Sequence, residues 1–383
     1  MTLPAPARSN ARGAVTSLVT LLGGIPLAVI PAATLSISAH VYPLEEQGVI
    51  AVLVLVGTFV AQLSSGAIIE SRLSTPGLVR HVTFPRWLAW LSLAAAAVLV
   101  VLPTTLIALC VALPILLAAL EVGRGVSVAE RLDTREMWSA ILVGLGALVG
   151  VVIALFDSPW GIIPLALGMA GATLIRARPV GHTATRADPT VRAWILADVG
   201  MTGAIYPALN FVILALLGPA PAIVFTAIST VSGLLAIPIN FMRTRLLKEH
   251  SGLEIVVSVG SLLVAIIAIA IAEFTGVFEL FFHSAWTLEA TVLPLAAACL
   301  WRSASILSTL PFASLRRQGS VRIVTVLRGV AAGATFLGAV LVVQTQQIVW
   351  VFVVFFAGEL LQAVLYESAR RRIAAGLDKA ELR

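Results

Sequence analysis

The sequence has very little charge. Only 11% of its 383 residues are Asp, Glu, Lys or Arg, whereas a soluble globular protein carries about 25%. The hydrophobic share of 59% and the mean hydropathy of +1.03 exceed what a soluble core needs. These values argue against a soluble enzyme, a nucleic-acid-binding module and a disordered scaffold.

Reactive motifs are also scarce. Cys110 and Cys299 both lie in apolar runs, which supports neither a disulfide framework nor a metal site. We find no phosphate-cradling glycine loop, no nucleophile elbow and no metal-ligand spacing. We therefore expect no enzyme, no metal and no cofactor other than an ion coupled to transport. The histidines are interpreted as solvated loop residues: His40, His81, His182, His250 and His283.

Long apolar runs dominate what is present. A helix that spans a bilayer needs about 20 mostly apolar residues. Pro103 interrupts the run 87–121, which we interpret as a hairpin because a single helix of that length would overshoot the bilayer. We predict an all-α polytopic membrane protein with twelve transmembrane helices. The spans are 15–38, 48–68, 87–103, 105–121, 138–155, 161–176, 193–217, 221–241, 253–275, 286–310, 322–343 and 348–368.

Basic residues alternate with these spans. Of the 25 Lys and Arg residues, 24 lie at the termini or at every second connection if Arg328, just inside the span 322–343, is counted with the connection before it; the exception is Arg302. The other connections carry Glu45, Glu46, Asp157 and Glu279 and no Lys or Arg. The positive-inside rule then places both termini in the cytoplasm. The net charge of +6 is thus a topology signal that needs no nucleic acid, and the basic tail at 370–372 is expected to bind anionic lipid headgroups.

The polar stretch 176–192 divides the chain into two halves. Each half has six spans, an even number, so the halves share one orientation, as in transporters built from parallel repeats. The outer connections are short, which weighs against polymerases, ligases and glycosyltransferases. The predicted organisation is a cytoplasmic tail 1–14, a six-helix bundle 15–176, a cytoplasmic linker 177–192, a second bundle 193–368 and a basic cytoplasmic tail 369–383.

Three segments resemble the bacterial polysaccharide flippases of the multidrug/oligosaccharidyl-lipid/polysaccharide exporter (MOP) superfamily. They are 37–48 followed by Gly66 to Arg72, 120–124 running into 130–155, and 210–218. The chain departs from that family's pattern at His40, Gln47 and Asn210.

The resemblance implies two bundles facing each other in a V, with alternating access to a central cavity. It implies export of a polyprenyl-diphosphate-linked saccharide from the cytoplasmic to the outer leaflet of a bacterial inner membrane. The implied partners are that substrate, membrane lipids and enzymes of envelope polysaccharide synthesis.

Charged residues inside spans are functional candidates because burial in lipid is expensive. Counting about 1.5 Å per residue from the tryptophan belts places both Asp198 and Arg302 about 6 Å from the cytoplasmic face. We predict that they form an ion pair or a polar rim of the inward cavity, the alternative being that each reaches the interface separately. Glu359 lies about 13 Å deep, with Gln362 on the same face. It is the candidate for coupling to H⁺ or Na⁺, the alternative being a structural hydrogen bond.

Two polar stripes with a spacing of four residues also stand out, Thr58–Gln62–Gly66–Glu70 and Asp198–Thr202–Tyr206–Asn210. Such faces avoid lipid, so they line a cavity or a helix contact, and we favour the cavity. Arg72, Arg124 and Arg302 are the candidates for binding a diphosphate through their donor forks. For Arg72 and Arg124 the alternative is a purely topological role. The glycine sets 144/146/150 and 329/333 are interpreted as close helix packing.

Two other functions remain open on the sequence alone. One is a small-molecule antiporter of the multidrug-extrusion type on the same architecture, and the other is a non-transporting membrane scaffold of a saccharide-synthesis complex. An exporter of cationic drugs predicts an acidic cavity, whereas a diphosphate flippase predicts a basic one. The spans carry both signs of charge, at Asp198, Arg302 and Glu359.

Overall fold

The computed structural model describes residues 25–73, 81–130, 132–179, 181, 186–239, 242, 252–283, 286–317 and 320–381. Over these residues every regular element is a helix, and none of them forms a strand. The predicted all-α class is therefore confirmed.

The N-terminal half is built from helices that alternate with short connections. Glu45 and Glu46 occupy the first turn of α2, and Asp133 and Glu136 the first turn of α5. Carboxylates are favourable there because they face the positive end of the helix dipole. A π-helical turn, Gly66–Glu70, lies near the end of α2. The helices are α1 Ile25–Val41, α2 Leu44–Leu73, α3 Arg86–Val101, α4 Leu106–Ala129, α5 Asp133–Ala154 and α6 Pro159–Arg176.

The C-terminal half repeats this arrangement. The first helix, α7, begins at Pro189, and the Asp188 side chain caps it by accepting a hydrogen bond from the Thr190 amide at 2.7 Å. It is interrupted at Ala204, close to Pro207, which cannot donate a backbone hydrogen bond. The helices are α7 Pro189–Leu217, α8 Pro219–Gly233, α9 Gly252–Phe274, α10 Leu288–Arg317, α11 Val321–Val343 and α12 Ile348–Glu381, and a short cap helix, Val277–Phe282, follows α9.

Each predicted span overlaps one of these helices. Eight helices of the described chain are long and apolar enough to cross a membrane, and four shorter apolar helices accompany them. The hairpin at Pro103 is confirmed, since α3 ends at Val101 and α4 begins at Leu106. Residues 1–24 lie outside the described chain. The start of the first span, the N-terminal tail and the side of the membrane on which that tail lies therefore stay predictions. The basic tail from residue 369 continues α12 as far as Glu381.

The two halves meet along four long helices and at the cap helix, which packs on α1. Within the N-terminal half α2 packs on α4, and α5 packs on both α1 and α6. Within the C-terminal half α10 and α11 pack on α12, and α7 packs on α11. Between the halves α2 contacts α7 and α8, and α1 contacts α8. The first two helices of each half therefore form the interface at which a cavity can open.

The α5–α6 pair forms a glycine seam, defined by Gly146 and Gly150 on α5 with Gly161 and Gly168 on α6. A Cβ atom at Gly146 would lie 2.6 Å from the Pro164 carbonyl oxygen, and one at Gly150 would lie 2.5 Å from that of Gly161. The close-packing interpretation is thus confirmed for Gly146 and Gly150, and also for Gly329, where a Cβ would lie 3.2 Å from Met201 Sδ. It is wrong for Gly144 and Gly333, where a Cβ would meet nothing within 4 Å among the described residues.

The halves are also in contact at the ends that the charge pattern assigns to the outside. A Cβ atom at Gly48, in the first turns of α2, would lie 2.7 Å from the Cβ of Pro219, the first residue of α8. One turn further in, Thr226 Oγ1 donates a hydrogen bond to the Ala51 carbonyl at 3.3 Å. The outer ends of the two halves are therefore closed on each other.

Candidate functional site

Two adjoining cavities lie at the centre of the molecule. The interlobe cavity, of about 310 Å³, is lined by α1, α2 and α4 of the N-terminal half and by α7, α8 and α10 of the C-terminal half. The C-half cavity, of about 280 Å³, is lined mainly by α7, α10, α11 and α12. Both cavities share one wall, which consists of Gln62, Gly203, Tyr206, Ala236 and Arg302.

The interlobe cavity extends towards the ends of the helices that carry the basic connections. Ala28 lies near the described start of α1, and Glu121 and Arg124 lie in the last turns of α4. Since the outer ends are closed and these ends line the cavity, the arrangement corresponds to access from the cytoplasmic side under the predicted orientation.

Arg302 occupies the shared wall. Its guanidinium lies 3.9 Å from the centroid of the Trp301 ring and 5.7 Å from that of Tyr206. Its Nε atom is buried and has no hydrogen-bond partner among the described residues. Stacking on aromatic rings holds an arginine in place without neutralising its charge.

The predicted ion pair between Asp198 and Arg302 is wrong. Arg328 Nη1 donates to Asp198 Oδ2 at 2.9 Å, and Asp198 is almost fully buried. The prediction compared only how deep Asp198 and Arg302 lie in the membrane. Which residue reaches the carboxylate also depends on the helix face that carries each side chain, and Arg328 of α11 is the residue that faces Asp198. Arg328 also lines the C-half cavity, whereas Asp198 does not. Asp198 therefore contacts the cavity wall only through its ion pair with Arg328.

A second buried ion pair, which the sequence analysis missed, lies in the N-terminal half. Arg176, only 1% exposed, donates to both carboxylate oxygens of Glu136, through Nε at 3.0 Å and Nη2 at 2.7 Å. Its Nη1 donates to the Leu120 carbonyl at 3.3 Å. Gly123 leaves room for this side chain, because a Cβ there would lie 3.0 Å from Arg176. No spacing in the sequence links residues on α4, α5 and α6 in this way, and Arg176 is indistinguishable from the other basic residues at helix ends.

Arg124 lies beside this pair and faces the interlobe cavity. Its Nε atom is 3.8 Å from Glu136 Oε1, an oxygen that already accepts the shorter bond from Arg176. That Nε atom is buried without a hydrogen-bond partner among the described residues. The Glu136 carboxylate thus faces two arginines and makes its hydrogen bonds with Arg176. It compensates the charge of Arg124 only in part, and Arg124 presents that charge to the cavity.

Glu359 lines the C-half cavity together with Gln362. Its Oε2 atom accepts a hydrogen bond from Ser308 Oγ on α10 at 3.3 Å. The structure therefore places the predicted coupling residue on the wall of the cavity that Arg302 and Arg328 also line. Its role in ion coupling stays a prediction.

The two polar stripes divide between cavity and helix contact. Thr58 lines the interlobe cavity, Thr202 the C-half cavity, and Gln62 and Tyr206 line both. Asn210, at the outer end of its stripe, is buried and donates to Thr226 Oγ1 at 2.7 Å. Gly66 and Glu70 line neither cavity, and a Cβ at Gly66 would contact Val199 on α7. In the α2 stripe Thr58 and Gln62 thus meet a cavity and Gly66 and Glu70 do not. In the α7 stripe the two middle residues meet a cavity and the two end residues do not.

Arg72 is the predicted diphosphate residue that the structure separates from the rest. It lies in the last turn of α2 and lines neither of the two cavities. Its Nη1 atom is buried without a hydrogen-bond partner among the described residues. Arg124 and Arg302 are brought together on one cavity, and Arg72 is not.

The fold defined by these helices is that of a known class of transporters. No protein-family model and no curated protein sequence matches the chain. The chain is similar to an inward-facing multidrug resistance MATE family transporter of the MOP superfamily, with a TM-score of 0.59 and 12% identity over 95% of this chain and 99% of that one.

Two further solved structures are similar. One is MATE in complex with MaL6, with a TM-score of 0.57 and 14% identity over 95% of this chain and 96% of that one. The other is MATE in the bent conformation, with a TM-score of 0.55 and 11% identity over 97% and 96%. The chain therefore has the fold of these MATE transporters, a polytopic membrane fold, and the comparisons leave its substrate open.

Proposed function

We propose that this protein is an alternating-access exporter of a lipid-linked saccharide whose headgroup is a diphosphate, working in a bacterial inner membrane. The observation that carries the proposal is the placement of Arg124 and Arg302. Each lies on the fourth helix of its half, and both line the interlobe cavity from opposite sides. Two arginines that approach from the two halves suit a ligand with two adjacent phosphates.

The charge around these arginines supports an anionic ligand. Glu136 is shared between Arg176 and Arg124, and among the described residues no carboxylate lies within ion-pair distance of Arg302. Glu121 is the acidic residue of the interlobe cavity and offsets part of this charge. The remaining lining is largely apolar and includes Val54, Leu55 and Leu117. A polar headgroup site with apolar walls fits an amphiphile better than a small hydrophilic solute.

The first test is binding by the purified protein in detergent, read from intrinsic tryptophan fluorescence because Trp301 contacts Arg302. We expect undecaprenyl diphosphate to bind and undecaprenol, which lacks the phosphates, to bind much more weakly. Arg124→Gln and Arg302→Gln should each weaken binding about 10- to 100-fold, the loss of one charge-assisted contact of about 1.5–3 kcal/mol. Arg371→Gln, on the exposed part of α12, is the matched control and should leave affinity unchanged. Equal binding of both lipids would contradict the proposal.

The second test is depletion of the protein in its native host. We expect one polyprenyl-linked saccharide to accumulate on the cytoplasmic leaflet, and its identity would name the substrate. Unchanged lipid-linked saccharides would count against the proposal.

A second function, a cation-coupled antiporter of the multidrug-extrusion type, is favoured by the likeness to MATE transporters and by the carboxylates Glu121 and Glu359 on the cavity walls. It predicts efflux of a cationic dye such as ethidium from loaded proteoliposomes, lost in Glu121→Gln. Ethidium efflux together with no binding of the lipid diphosphate would reverse the ranking of the two functions.

Glu359 provides the coupling test under either function. We expect Glu359→Gln to remove the dependence of transport on an imposed proton or sodium gradient, because the amide cannot release a proton or hold a cation. The measurement is transport into proteoliposomes with and without each gradient. Glu279→Gln, an exposed carboxylate on the cap helix, should keep the dependence. Gradient-driven transport that survives Glu359→Gln would leave Glu359 with a structural role only.

A further inference from the structure

A pair of histidines joins the two halves at their outer ends. His40 lies in the last turn of α1 in the N-terminal half, and His283 directly follows the cap helix in the C-terminal half. Their ring centroids are 5.3 Å apart, with the planes tilted by 52°. Asp157, in the α5–α6 connection, completes the group with Oδ1 at 3.8 Å from His40 Nδ1. We call these three residues the outer latch.

The sequence interpretation of His40 as a solvated loop residue is wrong. Its side chain is only 9% exposed, and Nε2 is buried without a hydrogen-bond partner among the described residues. His283 and Asp157, in contrast, are exposed to the outer solvent. In the latch the His40 ring is therefore buried, whereas His283 and Asp157 are in contact with the outer solvent, from which protons reach the latch.

The C-terminal side of the latch is held rigidly. Glu273 at the end of α9 accepts from Trp286 Nε1 at 2.9 Å and from Thr291 Oγ1 at 2.6 Å. The Trp286 ring lies 5.2 Å from Phe278 and 5.1 Å from Phe282 on the cap helix. The cap helix packs in turn on α1. Because these contacts tie the cap helix to the C-terminal half, a separation of the outer ends must break both its packing on α1 and the His40–His283 contact.

Two latch residues have unusual backbone conformations. His283 has a φ of 52° and a ψ of −144°, and Asp157 has a φ of 55°. Asp tolerates the left-handed region, but the conformation of His283 is one that glycine normally occupies. The backbone conformation at 283 favours glycine, yet the residue there is histidine. The His283 side chain is the group that contacts His40 in the other half.

We propose that the outer latch is a pH-sensitive gate, which holds the outer ends together while the histidines are neutral and releases them when both are protonated. Histidine changes charge between about pH 5 and pH 8. The Asp157 carboxylate can balance one positive ring, but a second positive ring at this separation is repelled. Acid on the outer side then favours the outward-open state.

Other titratable groups at this end do not replace the histidines. Glu45 and Glu46 begin α2, Glu279 lies on the cap helix, and none of them lies within ion-pair distance of either histidine. Both Glu273 oxygens are bonded within the C-terminal half. Burial, and then the Glu46 carboxylate, raise the pKa of Tyr42, which therefore stays neutral between pH 5 and pH 8.

The test is a distance measurement across the outer ends in lipid nanodiscs. Thr104→Cys in the α3–α4 connection and Thr345→Cys in the α11–α12 connection are exposed sites, one in each half, for paired spin labels. The background carries Cys110→Ala and Cys299→Ala, which remove the native thiols. We expect the ratio of long to short distances to rise about tenfold or more between about pH 8 and pH 5, a typical size for coupling between sites.

Three variants decide the outcome. His283→Gln should abolish the pH response and keep the short distance. His283→Lys carries a fixed positive charge, so it should keep the response through His40 alone, with the short distance at about pH 8 and the long distance at about pH 5. His81→Gln removes another histidine that contacts a carboxylate, Glu130, in the N-terminal half away from the latch, and should keep the full response. An unchanged distance in the parent protein, or a response that survives His283→Gln, would overturn the proposal. Elution of each variant as a monodisperse peak excludes misfolding.

Discussion

At the residue scale, each half pairs one arginine with a buried carboxylate and leaves a second arginine on the interlobe cavity. Arg176 is itself buried against Glu136, Arg328 pairs with the buried Asp198 at the wall of the C-half cavity, and Arg124 and Arg302 face the interlobe cavity. A buried ion is tolerated only when it is paired and hydrogen-bonded. The paired arginines are therefore expected to determine stability, and the cavity arginines to determine binding.

Glu136→Gln is predicted to destabilise the protein by about 3–5 kcal/mol, because it leaves the buried Arg176 charge without a counterion. The measurement is the thermal unfolding midpoint in detergent. Glu367→Gln is the matched control, since Glu367 pairs with Arg370 and Arg371 on an exposed helix face. Breaking such a surface pair costs at most about 1 kcal/mol. Similar midpoint shifts for the two variants would contradict the assignment of Arg176 as the dominant buried ion.

At the element scale, the interface between the halves depends on small residues at the outer end of α2. Gly48 lies against Pro219 so closely that a methyl group would have to displace α8. Substituting alanine for glycine inside a helix normally stabilises it by about 0.5–1 kcal/mol. The sign of a Gly48 substitution therefore reports whether this contact exists.

Gly48→Ala is predicted to lower the unfolding midpoint or to favour the outward-open distance between Thr104→Cys and Thr345→Cys. Gly144→Ala, at a helical position where a Cβ meets nothing within 4 Å, should keep the parent distance and a midpoint equal to or above that of the parent. A Gly48→Ala variant that matches Gly144→Ala in both measurements would show that α2 and α8 are further apart than described.

The helices were largely predictable from the sequence, and the contacts between them were not. Apolar runs and proline positions placed every long helix, including the hairpin at Pro103, and missed the short cap helix Val277–Phe282. Spacing along one helix also identified Gln62, Thr202 and Tyr206, which line the cavities. The partner of Asp198 and the Arg176–Glu136 pair depend on how helices are rotated and which ones are neighbours, and a single sequence does not encode these separately. The buried environment of His40 was missed for the same reason.

At the scale of the whole molecule, the charge asymmetry and the cavities point to the same side of the membrane. The outer ends are closed, the cavities extend towards the basic connections, and the positive-inside rule assigns those connections to the cytoplasm. Both the access side of the cavity and the outer position of the latch depend on that orientation.

Single cysteines test the orientation directly. Ser158→Cys in the α5–α6 connection is predicted to react with a membrane-impermeant maleimide in intact cells, and Asp188→Cys before α7 only after the cells are opened. Both positions lie in connections of the described chain. The reverse pattern would place the latch in the cytoplasm and turn the cavity outward.

The glycine seam between α5 and α6 has a mechanical consequence. The backbones of α5 and α6 are in direct contact at Gly146–Gly168 and at Gly150–Gly161, with no layer of side chains between them. One helix therefore cannot slide past the other or be extracted without it. When a cantilever pulls the chain from the bilayer by its C-terminus, α5 and α6 are expected to leave as a single block in one rupture event. The C-terminal half, which contains a cavity, should yield in several smaller steps.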